Sequence, residues 1–155
     1  MRDGATLTAH EPMLSNNQKI AERELREVSR LQALRLREIL AAIDARACEP
    51  QFCARSVAVQ LGLSERYVRK LLQTAGASFS QARMRARLDR AHALLTDASC
   101  AALSVTEVSL AAGFADISYF NRSFRHRFGV TPTSLRKHKE RQELRIFSKS
   151  FFSAG

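Results

Sequence analysis

The sequence lacks a long apolar run, and its few cysteines form no recognisable set. Its first residues, MRDGAT, have no apolar centre such as a secretory signal peptide carries. No stretch reaches the roughly 20 apolar residues that a transmembrane helix needs. Cys48, Cys53 and Cys100 are an odd number and lack metal-ligand spacing. We therefore expect a cytoplasmic protein with reduced thiols, without a metal, a cofactor or membrane contact.

Strand patterns are also missing, and glycine and proline are scarce. No stretch alternates apolar and polar residues as a half-buried strand does. The chain has six glycines and three prolines, and several lie where helices would end or begin. Gly62, Gly76, Gly113 and Gly129 mark helix ends, and Thr131-Pro132 marks a start. The pattern predicts an all-α fold of about seven helices, at 34–46, 54–61, 64–75, 79–96, 105–112, 116–127 and 132–138.

Positive charge is abundant and confined to one region. Residues 1–50 hold eight Lys/Arg and eight Asp/Glu, whereas residues 51–155 hold 17 Lys/Arg against seven Asp/Glu. The whole formal net charge of +10 therefore lies after residue 50. A local excess of this kind is typical of a surface that binds a polyanion such as nucleic acid.

One short module occurs twice, at 57–72 and again at 108–124. Each copy has a short apolar helix, a glycine that ends it, an apolar turn residue and a capping Ser or Asp. A second helix follows, with one apolar face and one basic or polar face. This order is typical of a helix-turn-helix, whose second helix enters the major groove of DNA.

The helix predicted at 64–75 has two distinct faces. Val68, Leu71, Leu72 and Ala75 have the spacing of a core face. Basic and polar side chains occupy the other face. The base-reading candidates there are Arg66, Arg69 and Lys70, because the Arg fork matches the O6 and N7 acceptors of guanine. Lys70 suits a phosphate contact equally well, and Gln73 is a phosphate-contact candidate.

The second copy carries different chemistry on its exposed face. Phe120, Phe124 and Phe128 have helical spacing and predict core packing. Asn can pair with adenine edges, Ser forms weaker contacts, and Ile can meet a thymine methyl. The base-reading candidates are therefore Ile117, Ser118 and Asn121, and the phosphate-contact candidates are Arg122, Arg125 and Arg127. Because the two copies differ, we expect a non-palindromic site for one monomer.

The helix predicted at 79–96 separates the two copies. Met84, Leu88, Ala91 and Leu95 form its predicted buried stripe, and Arg83, Arg87 and Arg90 occupy other faces. A helix of about 17 residues spans about 25 Å. That length suits two recognition helices held near one DNA turn apart, about 34 Å.

Several of these segments closely resemble the signature of the AraC/XylS-family bacterial transcription regulators. The resemblance rests chiefly on 104–108, 111–114 and 118–132, with 61–68 and Phe79-Ser80 matching the first half. It implies two helix-turn-helix subdomains, about 54–75 and 105–127, joined by a linker helix at 79–96, within a DNA-binding domain at 35–138. It also implies a role at promoters in the bacterial nucleoid, most often activation, with RNA polymerase as a candidate second partner.

The region ahead of this domain departs from the family. Most members carry a sensing or dimerising domain there, whereas residues 1–34 predict only a tail and a linker helix. We therefore expect no inducer pocket and no small-molecule effector. Residues 15–36 favour either a solvated helix or the seam of a weak dimer; Gln32 interrupts the apolar stripe and favours the former. Residues 139–155 are expected to form a loose basic and aromatic tail.

Two other functions are alternatives to DNA-dependent regulation. A truncated regulator could act by competition or protein interaction without sensing an effector. Some relatives of such domains are fused to cysteine-based repair enzymes, but Cys48 and Cys53 have no His, Asp or third Cys arranged around them. We therefore expect no catalytic residue and no enzyme activity.

Overall fold

The computed structural model describes residues 16–139 and 141, with side chains from Ile20 onward. Within that part it has seven α-helices, one short 3₁₀ turn and no strand, which confirms the predicted all-α fold. The helices are α1 (Asn16–Arg46), α2 (Ala54–Leu61), α3 (Glu65–Thr74), α4 (Phe79–Thr96), α5 (Val105–Ala111), α6 (Ile117–Phe128) and α7 (132–139); the 3₁₀ turn is Ala98–Cys100. The expected N-terminal tail and nearly all of the expected C-terminal tail lie outside the described residues.

The chain divides into two compact units, 1–35 and 36–155. In the first unit, the described part of α1 exposes its large apolar side chains: Ile20, Leu25, Val28, Leu31 and Leu34. The dimer seam stays a prediction. In the second unit, the last turns of α1 bury Ile39 and Ile43 completely or nearly so.

Two separate apolar cores lie within residues 36–139. The first joins the end of α1 to α2, α3 and the start of α4, with Ile43, Phe52, Val57, Val68 and Leu72 at its centre. The second joins the end of α4 to α5 and α6 around Leu88, Val108, Phe120 and Phe124. Each core therefore stabilises one helix-turn-helix: the first core packs against α2 and α3, and the second against α5 and α6.

Helix α4 contributes to both cores through different faces. Phe79, Ala82 and Ala86 face the first core, whereas Leu88, Ala91 and Leu95 face the second. The predicted stripe described only the second of these faces, and Met84 in that stripe is only half-buried. The expectation that Ala75 is a core residue was wrong: α3 ends at Thr74, and Ala75 is its exposed C-cap.

Candidate nucleic-acid interface

Helix α3 presents the first set of base-reading candidates. Ser64 caps it by accepting a hydrogen bond from the amide of Tyr67 at 3.2 Å. Val68, Leu71 and Leu72 are buried, which fixes the rotation of the helix on the core. The exposed face consequently carries Arg66, Arg69, Lys70 and Gln73, which together with Glu65 line one cleft.

Arg69 is held by a neighbour on the same helix. Its Nε and Nη2 donate to Glu65 Oε1 at 3.0 and 2.6 Å. Both side chains are exposed, so the pair lies on the surface that carries the base-reading candidates rather than beneath it. Sequence reasoning identified Arg69 but not the carboxylate that orients it, although the four-residue spacing is the usual signal for such a pair.

Helix α6 presents the second set. Asp116 caps it, since its Oδ1 accepts from the amides of Ser118 at 2.7 Å and Tyr119 at 3.0 Å. The hydrogen bond from the Tyr119 amide is the larger cause, and that from the Ser118 amide the second, of a pKa for the Asp116 carboxyl below its usual range. The negative charge also suits the positive end of the helix dipole. The recognition helix therefore begins at a well-defined cap.

Aromatic packing sets the rotation of α6. Phe120 and Phe124 are fully buried, with ring centroids 5.5 Å apart, and Phe114 lies 5.1 Å from Phe120. The opposite face exposes Ser118, Asn121, Arg122 and Arg125. Ile117 is half-buried against the second core, so only part of its side chain faces outward.

Arg127 differs from the other phosphate-contact candidates. Its Nε donates to Asp89 Oδ1 at 3.0 Å and its Nη2 to Oδ2 at 2.8 Å, joining α6 to α4. Its guanidinium carbon also lies 5.2 Å from the ring centroid of Phe128. A phosphate contact by Arg127 stays a prediction, but the residue already has a structural role.

Three adjacent clefts lie along the surface between α3 and α6. A second cleft adjoins the one on α3, and Arg69 and Gln73 line both. The second cleft reaches Ser78, the N-cap of α4, and Gln81 in its first turn. That cleft shares Gln81 with a third, of about 870 Å³, between α4 and α6. The third cleft is lined by Ser80, Gln81, Arg85, Tyr119, Arg122 and His126, among others. We call the three clefts together the interhelical groove.

Sequence reasoning missed the contribution of α4 to this groove. Gln81 also completes the cap of α4, since its Oε1 accepts from the amide of Ser78 at 2.7 Å. Arg85 is exposed one helical turn later. Nothing local marks either residue as groove-lining, because that depends on where α6 packs.

Two further arginines of α4 point away from solvent. The Nε atoms of Arg83 and Arg87 both donate to the carbonyl of Ala47, at 3.0 and 2.9 Å. Both side chains are half-buried. Burial, with the neighbouring charge of Arg83, lowers the pKa of Arg87. These arginines were expected simply on other faces of α4, and the structure gives them a tertiary contact.

The same described part of the chain shows neither a membrane-spanning helix nor a metal site. No helix there is long and apolar enough to cross a bilayer. No cluster of three or more His, Cys, Asp or Glu side chains among residues 16–139 could hold a metal ion. The three cysteines are free thiols.

The chain is similar to known proteins over its two helix-turn-helix units. The family described as "Helix-turn-helix domain" matches residues 57–138. The transcriptional activator RhrA of Rhizobium meliloti strain 1021 is 32% identical over 103 residues, which are 66% of this chain and 32% of that protein. The transcriptional activator NphR of a Rhodococcus species is 40% identical over 87 residues, covering 55% of this chain and 24% of NphR. The chain thus spans about a third or less of these curated relatives.

Solved structures show the same architecture. A probable AraC family transcriptional regulator from Rhodopseudomonas palustris superposes with a TM-score of 0.58 at 29% identity, covering 67% of this chain and 95% of that one. A transcriptional regulator from Chromobacterium violaceum, described as having an AraC-type DNA-binding domain, gives 0.61 at 27% identity, covering 73% and 96%.

Proposed function

The chain belongs to the AraC-type helix-turn-helix family, and from this premise we propose that it regulates transcription by binding two successive major grooves of duplex DNA. The observation that carries the proposal is the interhelical groove. Its adjacent clefts run from the exposed face of α3, along the start of α4, to the exposed face of α6. In a helix-turn-helix, these are the faces that meet base edges.

The charges of the groove fit a DNA backbone. Arg66, Lys70, Arg85 and Arg122 line it and are exposed. Phosphate contacts position a protein on the duplex, and base contacts then supply specificity. We assign Arg85 and Arg122 to phosphates between the two major grooves, and the α3 and α6 candidates to bases. The clefts are open to solvent rather than enclosed, which suits a nucleic acid better than a small-molecule effector.

We propose activation as the direction of control, with RNA polymerase as the partner at the promoter and the bacterial nucleoid as the location. The support is the description of RhrA and NphR as transcriptional activators. A regulator that only competes for sites would bind the same DNA without raising output. Binding and output therefore have to be measured separately.

The test begins with selection of bound duplexes from a random library. We expect a bipartite, non-palindromic motif whose halves lie about 10–10.5 base pairs apart. The double variant Arg66→Ala/Asn121→Ala should lose the motif, whereas Arg90→Ala should keep it. Arg90 is the matched control because it lies about two and a half helical turns beyond Gln81, on the opposite face of α4. A library without enrichment would refute sequence-specific binding.

A reporter placed downstream of the selected site then tests the direction of control. Activation predicts higher output with the wild-type chain than with the double variant at equal protein levels. Lower output would show repression, and unchanged output with full occupancy would show competition alone.

A further inference from the structure

The two helix-turn-helix units need something besides α4 to fix their relative angle. Their apolar cores are separate, and α4 contacts them through opposite faces. With α4 as the sole link, the angle between the units would rest only on how each core packs on that helix. The loop that follows α1 supplies a second connection, and it meets both units at one point.

The first half of this connection is the end of α1. Helix α1 ends at Arg46, and the last carbonyls of a helix lack partners within the helix. The carbonyl of Ala47 accepts from Arg83 and from Arg87, and Arg83 Nη2 also donates to the carbonyl of Glu49. Hydrogen bonds from a charged donor are stronger than neutral ones, so the loop is tied to α4.

The second half is the turn of the other helix-turn-helix. Gly113 has φ +83°, and a Cβ placed there would lie 2.8 Å from the carbonyl oxygen of Cys48 and 3.2 Å from Arg87 Nε. The guanidinium carbon of Arg87 lies 5.8 Å from the ring centroid of Phe114. The turn of the second unit therefore packs its backbone directly against the loop of the first, with Arg87 between them.

We propose that Arg87 and Gly113 are positioning residues that set the angle between α3 and α6, and thereby the half-site spacing that the protein accepts. The proposal rests on the proposed function, because spacing has meaning only on DNA. Neither residue contacts the groove. Their effect reaches DNA through a lever: α4 has 18 residues, and the half of it on either side of Arg87 spans about 13 Å at 1.5 Å per residue. A small change of angle at the junction moves the far recognition helix by an appreciable part of a base-pair step.

Base preference and half-site spacing should therefore depend on different residues. Loss of a base contact changes preference at one base pair. Loss of the junction leaves each half-site preference intact but widens the range of distances between them. A residue needed only for folding would lower the amount of active protein without changing either preference.

The test uses duplexes in which the two half-sites are separated by the selected distance or by one or two base pairs more or less. We expect wild-type affinity to fall roughly tenfold for a change of one base pair, comparable to a mismatch. Arg87→Ala should lose that selectivity, binding all spacings within about threefold of each other, with unchanged base preference. Arg87→Lys should be intermediate, because it keeps the charge but loses the planar fork. Arg90→Ala should match the wild type.

A second measurement reports on the junction without DNA. Residual dipolar couplings of the backbone amides in α3 and α6 should fit one alignment tensor in the wild type and two in folded Arg87→Ala. One tensor together with a sharp spacing profile in this variant would overturn the proposal. Two tensors in Arg87→Ala, with no sequence-specific DNA binding by the wild type or any variant, would support the role of the junction and refute the proposed function instead.

Gly113→Ala supplies an independent check. If it folds, as judged by circular dichroism, it should show the broadened spacing profile. If it does not fold, the positive φ at Gly113 or the close approach to Cys48 accounts for the loss, and the Arg87 variants decide the proposal.

Discussion

Arg69 and Glu65 form an ion pair on the exposed face of α3, with Arg69 Nη2 2.6 Å from Glu65 Oε1. An exposed pair of this spacing contributes only about 0.3–0.5 kcal/mol to folding. Its importance lies in orientation, because it favours one rotamer of the guanidinium at the surface proposed to read bases. It also places a carboxylate where DNA phosphates would approach.

Glu65→Gln tests that relationship. We expect affinity for non-specific duplex to rise by roughly two- to threefold, because one negative charge near the backbone is removed. Discrimination at the base pair read by Arg69 should fall, because the guanidinium is no longer held. Competition binding with single-base variants measures both effects. Glu49→Gln is the control, since it breaks a similar pair with Arg46 outside the groove; an equal effect there would contradict the prediction.

The two recognition helices should read separate half-sites. Arg66→Ala and Arg69→Ala should each cost about 1–3 kcal/mol and relax specificity in one half-site. Asn121→Ala should do so in the other, while Arg125→Ala should weaken all sequences alike. Selected-site profiles for the variants make the comparison. Changes at the same base pairs for Arg69→Ala and Asn121→Ala would show that α3 and α6 do not occupy different grooves.

Phosphate contacts should dominate affinity. With six to eight phosphates neutralised, the log–log salt slope should be about −5 to −7. Arg85→Ala should reduce its magnitude by about 1 and weaken binding equally across sequences. Arg90→Ala should leave the slope unchanged, although both arginines are exposed on α4. Fluorescence titrations between low and moderate salt give the slopes, and identical slopes for Arg85→Ala and Arg90→Ala would exclude the assignment of Arg85.

The sequence predicted best those features that depend on neighbouring residues. The caps at Ser64 and Asp116 and the stop at Gly113 follow from local hydrogen bonding and backbone freedom, and the structure has them where expected. The buried stripes around Val68 and Phe120 follow from helical periodicity. All the residues that form such a signal lie within one or two helical turns of each other in the sequence.

Features that join distant segments could not be predicted in the same way. Arg87 contacts Ala47, 40 residues earlier, and Arg127 contacts Asp89, 38 residues earlier. A charged side chain on a helix looks the same in sequence whether it is solvated or bound to a distant carbonyl. Helix α4 adds a second reason, because it faces two cores and its apolar residues therefore do not form a single stripe.

The pair between Asp89 and Arg127 should restrain DNA binding slightly. Asp89→Asn removes a carboxylate and weakens the hold on Arg127, so we expect affinity to rise by roughly two- to fivefold, within the range of one charge contact. In the double variant Asp89→Asn/Arg127→Ala, that gain should disappear if Arg127 reaches phosphate. Anisotropy titrations of the four proteins in the cycle measure the coupling. A gain that persists in the double variant would show that Asp89 acts on DNA without Arg127.

Acid should destabilise the second helix-turn-helix through its cap. Folding lowers the pKa of Asp116, mainly through hydrogen bonds from the amides of Tyr119 and Ser118. The ionised carboxylate therefore stabilises the folded state at pH values above its ordinary pKa, and that stabilisation is lost as the pH falls through the lowered value. Since an unperturbed Asp has a pKa of about 3.9, the loss occurs below about pH 4. Asp116→Asn keeps an N-cap of similar strength but cannot ionise.

The variant series separates the charge of the cap from its hydrogen bonds. At pH 7 we expect Asp116→Asn to melt slightly below the wild type, because it lacks the favourable charge at the helix N-terminus. Between pH 5 and pH 3 the wild-type Tm should fall faster, so that the two values converge. Asp116→Ala should melt lower than both at neutral pH, because it leaves the Ser118 and Tyr119 amides without the cap. Melting followed by helical circular dichroism gives these curves. Parallel curves for wild type and Asp116→Asn would mean that the Asp116 carboxylate has the same proton affinity in the folded and unfolded chain, and that other carboxylates with lowered pKa values, such as Glu107, account for the acid sensitivity.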